Sequence, residues 1–401
     1  MVSALVVVTL LVASVASLFM AWAIGAGSSG STPFAPAVGA NAISVMRAGF
    51  VVGLLGLLGA VLQGANVSEA VGRQLISGVT LTPLAAVVAL TLAAVLVAIG
   101  VFTGYPIATA FTVTGAVIGV GLALGGAPAW AKYQEIAAVW TLTPFVGGGL
   151  AYATARLLRN ESVSERVAIP VLGAVVGVVL ANVEFALLGP AGESASIASA
   201  TALELPSFSS SLVVVAVSVL AAVLFALVLA RDIARNEVRA QRHFLLVLGG
   251  LVAFSAGGSQ VGLAVGPLLP LLDDVGVFVP LTVVLLGGGF GLLLGSWTGA
   301  PRMIKAIAQD YSSLGPRRSI AALIPSFVIA QVAVFLGVPI SFNEIIVSAI
   351  IGSGYAAGGA GVSREKMVKT VLAWLASLAG AIGVGYGAYF AVSTALAALV
   401  G

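Results

Sequence analysis

Long apolar runs separated by short charged islands are the feature that most constrains this chain. Hydrophobic residues make up 60% of the sequence and charged residues only 8%. A helix needs about 20 apolar residues to cross the hydrocarbon core of a bilayer. The pattern therefore predicts an all-α polytopic membrane protein of about 12 transmembrane helices. The runs lie near 2–24, 48–66, 80–102, 105–124, 136–156, 168–189, 210–230, 244–262, 277–297, 319–337, 340–357 and 370–398.

Several functional classes are excluded by what the chain lacks. There is no Cys, and His243 is the single histidine, so thiolate metal sites, a Ser-His-Asp triad and histidine metal centres are not expected. The chain has no phosphate-binding glycine motif ending in Gly-Lys-Ser or Gly-Lys-Thr, which argues against ATP drive. The net charge of +3 is small and confined to loops. We therefore expect no enzyme activity, cofactor, metal or nucleic-acid partner.

The charged islands predict how the chain crosses the membrane. Basic residues cluster in four islands, near 156–166, 231–242, 302–318 and 364–369. The loops 190–208 and 270–276 carry acidic residues and no Lys or Arg. Because positive charge stays on the cytoplasmic side, the basic islands are predicted inside and these two loops outside. Both termini are then outside, and the protein is predicted to be a multi-pass protein of the cell membrane.

Short sequence patterns recur at an offset of about 233 residues. Gly104-Tyr-Pro-Ile107 returns as Gly337-Val-Pro-Ile340, and each copy reaches a Lys eight residues before a Trp, Lys132 with Trp140 and Lys366 with Trp374. The copies span 1–157 and 243–401, five apolar runs each, joined by a two-helix linker region at 158–242. Because five is odd and the linker crosses twice, the copies are predicted to be inverted, an architecture of many secondary transporters.

The repeated segments resemble the inorganic phosphate transporter (PiT) family, over nearly the whole chain. That family carries G-A-N-D-x-A-N and P-x-S-T-T-H signatures in each copy. The corresponding segments here are Gly25 to Ser31, Gly257 to Leu263, Pro106 to Phe111 and Pro339 to Glu344. The resemblance implies phosphate transport, and divergent branches include sulfate permeases.

Departures from the signatures fall on the polar residues. The resemblance implies an Asp that holds a coupling cation in each copy, but Ser28 and Gln260 stand at those positions, and Phe111 and Glu344 replace the two histidines. A Na⁺ site usually includes a carboxylate among its oxygen ligands, as hard cations do. The chain is therefore predicted to transport its anion without Na⁺.

The same segments contain the residue types that bind a desolvated oxyanion. The N-terminus of a helix broken at the membrane midplane offers free N–H groups and a positive dipole end. Glycine permits the break, and proline can start the next helix. We predict helix breaks or starts at Gly25, Gly27, Gly257, Gly258, Pro106 and Pro339. The predicted neutral substrate site comprises Ser28, Ser29, Thr109, Ser259, Gln260, Ser341 and Asn343.

Glu344 is the one ionisable residue in these segments. It is predicted either to carry a proton with the anion or to lie at the outer membrane interface. The leading hypothesis is a secondary phosphate permease with an oxyanion and a proton as partners in a lipid bilayer, and a homodimer is compatible with the sequence. The alternatives are a sulfate permease and a passive anion channel.

Overall fold

Helices account for most of the chain. The computed structural model describes residues 4–189, 193–274, 279–359 and 362–400. The helices of the first half are α1 (Ala4–Ile24), α2 (Ala35–Gly39), α3 (Val45–Gln63), α4 (Ala65–Arg73), α5 (Pro83–Thr103), α6 (Thr109–Ala123) and α7 (Trp130–Arg159). Three more follow: α8 (Glu165–Ala181), α9 (Ile197–Glu204) and α10 (Ser210–Arg235). The second half comprises α11 (Glu237–Val265), α12 (Leu269–Asp274), α13 (Leu281–Thr298), α14 (Ala300–Asp310), α15 (Pro316–Phe335), α16 (Phe342–Tyr355) and α17 (Arg364–Val400).

Extended structure is confined to two short antiparallel ladders. Strand β1 (Ile76–Ser77) pairs with β2 (Ala127–Pro128), and β3 (Glu184–Phe185) pairs with β4 (Ala195–Ser196). Each ladder lies in connections between helices and contributes only two residue pairs.

The prediction of an all-helical polytopic membrane protein is confirmed. Within the described ranges, nine helices are long and apolar enough to cross a membrane. The other three predicted runs correspond to α6, α8 and α16, which have 15, 17 and 14 residues. Helices of that length fall short of the roughly 20 residues that a full crossing needs. For α6 and α16 this is the length expected of broken or re-entrant helices, so the count of 12 full spans stays a prediction.

A glycine with a backbone conformation that other residues rarely adopt follows the end of α5 and the end of α15, the helices before α6 and α16. Gly104 and Gly337 have φ angles of 76° and 60°, a region that disfavours residues with a Cβ. Each is followed two residues later by a proline, which favours extended backbone in the residue before it. The chain therefore leaves α5 and α15 in an extended segment before α6 and α16 begin.

The helices of the two halves pack in matched pairs. Helix α1 packs against α5 and α13, and α11 packs correspondingly against α15 and α3. Likewise α6 packs against α17, and α16 packs against α7. Helices α8 and α10 pack mainly against each other. Such pairing is what two interlocked copies would produce, while the boundaries 1–157, 158–242 and 243–401 and the inverted orientation stay predictions.

Charged contacts link the predicted inner islands to one another. Glu165 pairs with Arg317 and accepts a hydrogen bond from Gln241, which joins three basic islands. Lys366 pairs with Asp310 at 2.8 Å and joins the last island to the third. These contacts place the islands together, as the sequence predicts.

Arg73 is a basic residue in a predicted outer loop, and acidic side chains surround it. It bonds Glu69 at 2.7 Å and also pairs with Asp273. The termini, residues 1–3 and 401, and the loop residues 275–278 lie outside the described ranges. The outside location of both termini therefore stays a prediction.

The predicted helix break at Gly257 and Gly258 is wrong. Helix α11 runs without interruption from Glu237 to Val265, and its end lies at the 3₁₀ turn Gly266–Leu268. A Cβ on Gly257 would lie 1.9 Å from the Gly56 carbonyl oxygen, and one on Gly258 would lie 2.6 Å from Gln63 Cβ. These glycines allow close packing of α11 on α3 instead of a break.

Candidate functional site

The first component of the site is a widened turn at the end of α1. Residues Gly25–Ser29 form a π-helical turn in which every residue is buried. The Ser28 carbonyl oxygen accepts bonds from the N–H groups of Ser31 and Thr32 and from both of their hydroxyls. The break predicted at Gly25 and Gly27 thus falls on this turn. It places Ser28 and Ser29 inside the protein, within the helical bundle.

The second component is a pair of helix N-termini. Thr109 is the first residue of α6, whereas Ser341 occupies the position just before α16. The first N–H groups of a helix have no partner within the helix and can bind an anion. Pro106 and Pro339 lie at breaks between helices, as predicted, but they do not start α6 and α16, because both lie in the extended segments that precede these helices.

A chain of polar contacts joins the four predicted segments. The Thr109 hydroxyl donates to Gln260 Oε1 at 3.1 Å and lies 3.4 Å from Ser28 Oγ. Gln260 Nε2 then donates to the Ile340 carbonyl oxygen at 2.8 Å. Side chains far apart in sequence are therefore in direct contact.

Asn343 makes a second link from the segment Pro339 to Glu344. Its Nδ2 donates to the Gly27 carbonyl oxygen at 3.0 Å and to the Ile107 carbonyl oxygen at 2.6 Å. One amide thus ties α16 to the widened turn of α1 and to the extended segment before α6. Together with the Thr109 and Gln260 bonds, it draws the four predicted segments into one cluster.

All seven predicted substrate residues, and Glu344, are buried with 2% exposure or less. Their burial and mutual hydrogen bonds form an occluded arrangement, in which an anion must displace some of these bonds to enter. Thr109 contacts Ser28 and Gln260 directly, and Asn343 bonds the backbone of Gly27 and Ile107 beside them. Ser29, Ser259, Ser341 and Glu344 are next to them in the chain, but no direct bond connects them to the cluster.

Several buried polar atoms in these segments lack a partner among the described residues. They are the hydroxyls of Ser29, Ser259 and Ser341, together with Asn343 Oδ1 and Glu344 Oε2. An unsatisfied buried polar group costs about 1–3 kcal/mol, so a ligand that pairs with these atoms would recover that cost. The hydroxyls can donate to an anion. Asn343 Oδ1 can only accept, and Glu344 Oε2 can only accept when its carboxyl group is ionised.

Two tryptophans that the site prediction omitted anchor the extended segments. The indole N–H of Trp140 donates to the Pro339 carbonyl oxygen, and that of Trp374 donates to the Pro106 carbonyl oxygen, both at 2.7 Å. Phe111 stacks on Trp140 with ring centroids 3.9 Å apart. The sequence signal for these contacts was the matched spacing of Lys and Trp in each copy.

Carboxylates do not gather around the cluster. No group of three or more His, Asp or Glu residues that could hold a metal ion occurs within the described ranges. Glu344 is the acidic residue that lies in the segments of the site, and Ser28 and Gln260 are neutral. The local chemistry is therefore that of uncharged hydroxyl and amide groups.

Comparison with known proteins finds relatives over most of the chain. A sequence model of the phosphate transporter family matches residues 24–385. A protein named as a candidate phosphate permease in Chlamydia trachomatis is 27% identical over 398 residues, covering 90% of this chain and 92% of that protein. The chloroplastic inorganic phosphate transporter 2-1 of Arabidopsis thaliana is 25% identical over 420 residues, covering 90% of this chain and 68% of that protein.

A solved structure shares the fold. It is described as a sodium-dependent phosphate transporter and superimposes with a TM-score of 0.79 at 23% identity. The match covers 96% of this chain and 99% of that one. At this identity the likeness concerns the arrangement of helices and leaves the site chemistry to be argued from the residues themselves.

Proposed function

Because the chain belongs to the phosphate transporter family, we propose that it is a secondary transporter that moves inorganic phosphate without Na⁺ and with a proton. We place the phosphate at the buried cluster of Ser28, Thr109, Gln260 and Asn343, where the hydroxyls of Ser29, Ser259 and Ser341 in the same segments can donate to it. As a member of a transporter family, the chain is not an enzyme. The hydrogen bonds that bring four distant segments into one neutral cluster are the observation that carries the proposal.

A neutral site supports an anion without a permanent counter-ion. Hydroxyls at Ser29, Ser259 and Ser341 are buried and lack partners among the described residues, so they are available as donors. Charge-assisted hydrogen bonds to an anion are stronger than bonds between neutral groups. A site made of such donors can hold phosphate yet release it, which a clamp of several arginines would hinder.

The absence of a carboxylate at two positions supports independence from Na⁺. The family resemblance implies Asp where this chain has Ser28 and Gln260. Both of these side chains already take part in the hydrogen-bonded chain through Thr109. Na⁺ would have to bind oxygens that carry no charge, so we expect it to contribute little to transport.

Glu344 is the residue proposed to carry the proton. Its side chain is 1% exposed, and Oε2 has no hydrogen-bond partner among the described residues. Burying an unpaired carboxylate costs far more than burying the protonated acid. Moving one negative charge inward against the membrane potential costs about 2.3 kcal/mol per 100 mV, which a co-transported proton offsets.

The occluded geometry supports a carrier over a passive channel. All seven predicted substrate residues are 2% exposed or less, so the cluster is sealed by its own packing. A carrier must rearrange to expose such a cluster to either side. It should therefore show faster uptake when unlabelled phosphate is present on the opposite side of the membrane, whereas a channel should not.

The test is uptake of radiolabelled phosphate into liposomes that contain the purified protein. We expect equal uptake in K⁺ and Na⁺ buffers and faster uptake under an inward proton gradient. Glu344→Gln should abolish the response to the proton gradient, whereas Glu204→Gln, at an exposed carboxyl on α9, should retain it. Strict dependence on Na⁺ would contradict the neutral site, and a normal proton response in Glu344→Gln would remove Glu344 from the mechanism.

A further inference from the structure

We infer that Asn343 is a specificity-determining residue that favours a protonated oxyanion, phosphate, over an unprotonated one, sulfate. The inference rests on the proposed function and adds to it the basis of anion selection. It depends on one oxygen, Asn343 Oδ1, which is buried and has no partner among the described residues.

The two hydrogen bonds of Asn343 fix which way its amide points. Its Nδ2 lies 3.0 Å from the Gly27 carbonyl oxygen and 2.6 Å from the Ile107 carbonyl oxygen. Carbonyl oxygens only accept hydrogen bonds, so they require the NH₂ group on that side. Oδ1 is therefore held on the other side of the amide as a fixed acceptor.

An acceptor in this position is unusual for a site that binds an anion. The Asn343 side chain is fully buried in the first turn of α16, beside helix N–H groups that attract negative charge. The unpartnered hydroxyls of Ser29, Ser259 and Ser341 can rotate to donate. An amide oxygen cannot donate in any rotamer, so a ligand that contacts it must bring a hydrogen of its own to pair with it.

Phosphate and sulfate differ in that hydrogen. Both are tetrahedral oxyanions of similar size, but phosphate keeps at least one proton at neutral pH and sulfate keeps none. Protonated phosphate can donate its O–H to Asn343 Oδ1 while its other oxygens accept from hydroxyls and N–H groups. Sulfate leaves that oxygen unpaired and places a negatively charged oxygen against it, which a buried site penalises.

The experiment is competition against phosphate uptake by four anions in liposomes at neutral pH. Arsenate resembles phosphate in carrying a proton, and selenate resembles sulfate in lacking one, so the two pairs separate protonation from size. We expect arsenate to compete at concentrations similar to phosphate, and sulfate and selenate to compete at least about tenfold more weakly. Asn343→Leu, which removes the acceptor at similar volume, should shrink that advantage about tenfold.

A control variant outside the site tests whether the change in selectivity is specific to Asn343. Ser312 carries a buried hydroxyl without a described partner in the loop after α14, outside the site, so Ser312→Ala should keep the wild-type selectivity. Sulfate and selenate competing as well as arsenate against the wild type would overturn the inference, even if Asn343→Leu does not fold. So would unchanged selectivity in folded Asn343→Leu. A wild-type protein that takes up no phosphate would instead overturn the proposed function.

Discussion

The two halves of the molecule anchor their extended segments with the same hydrogen bond but differ in the charges beside it. Trp374 binds the Pro106 carbonyl oxygen, and Trp140 binds the Pro339 carbonyl oxygen, at the same 2.7 Å. Lys366, eight residues before Trp374, also lies 4.9 Å from the Tyr105 ring centre and pairs with Asp310. Among the residues that the structure describes, its counterpart Lys132 pairs only within its own helix, with Glu135 at 3.0 Å.

The indole bonds are common to both halves, whereas the contacts of Lys366 with Asp310 and Tyr105 occur in one half. The matched indole bonds hold the backbone before α6 and before α16, which are the two helix N-termini of the site. The additional contacts of Lys366 join α17 to α14 and to Tyr105, and Tyr311 beside them bonds Thr370 at 2.8 Å. We therefore expect the segment before α6 to be held more tightly than the segment before α16.

The largest expected effect tests whether the two halves pack alike. A Cβ on Gly25 would lie 2.1 Å from the Leu292 carbonyl oxygen, and one on Gly257 would lie 1.9 Å from the Gly56 carbonyl oxygen. Backbone atoms cannot move aside easily, so Gly25→Ala and Gly257→Ala should each destabilise the protein by about 3 kcal/mol, the upper end of the usual cost of overpacking. Thermal unfolding in detergent measures this. Gly287→Ala, which meets no atom within 4 Å, is the control.

Unequal losses of stability in Gly25→Ala and Gly257→Ala would contradict the equivalence of the two halves. If Gly257→Ala were as stable as Gly287→Ala while Gly25→Ala were not, the two crossings would not be equivalent.

The next largest effect concerns the free hydroxyls of the site. Ser29 and Ser259 occupy the corresponding segments of the two halves, and both hydroxyls are buried without a described partner. Removing one donor to a bound anion costs about 1.5–3 kcal/mol, or roughly ten- to a hundredfold in affinity. Ser29→Ala and Ser259→Ala should each weaken phosphate binding by that amount, measured by titration calorimetry. An effect in only one of them would assign the anion to that half.

The indole anchors should give a smaller and unequal effect. Trp140→Phe and Trp374→Phe keep a ring but leave a buried carbonyl oxygen unpaired, at a cost of about 1–3 kcal/mol. Trp140→Phe should raise the KM for phosphate about tenfold with little loss of protein stability. Trp374→Phe should raise it less, because Lys366 still holds Tyr105. The reverse order would show that the charged contacts do not support that segment.

The sequence alone predicted some of these contacts and not others. The offset of the motifs was enough to predict that segments around Ser28, Thr109, Gln260 and Asn343 meet, and the structure joins them by hydrogen bonds. It was not enough to interpret Gly257, because a glycine in a membrane helix serves equally as a break or as a close contact. Only the position of the neighbouring helix, with the Gly56 carbonyl oxygen against it, decides between them.

The two prolines could not be assigned from the sequence either. Pro106 and Pro339 are each compatible with the first turn of a helix or with extended backbone before it. The positive φ angles of Gly104 and Gly337, together with the indole bonds to the proline carbonyls, favour the extended form. Those indole bonds join residues that are about 200 or more positions apart, so local sequence could not reveal them.

The smallest expected effect isolates Lys366 from its counterpart. A partly exposed ion pair and a cation–π contact contribute about 0.5–1 kcal/mol each, so Lys366→Met should loosen the segment before α6 only a few-fold. The chain has no Cys, so Ala108→Cys introduces a single buried thiol in this segment. The rate at which that thiol reacts with a thiol reagent measures the loosening. Lys132→Met should leave the rate unchanged. Equal acceleration by both variants would show that the halves close in the same way.

We propose that phosphate binds the neutral cluster at which segments of the two halves meet. A structure determined with arsenate in buffer free of Na⁺ tests it most directly, because the heavier atom locates the anion without ambiguity. We predict the anion within hydrogen-bonding distance of Ser29, Ser259, Ser341 and Asn343. An anion bound elsewhere, or bound there only when Na⁺ is supplied, would contradict the account.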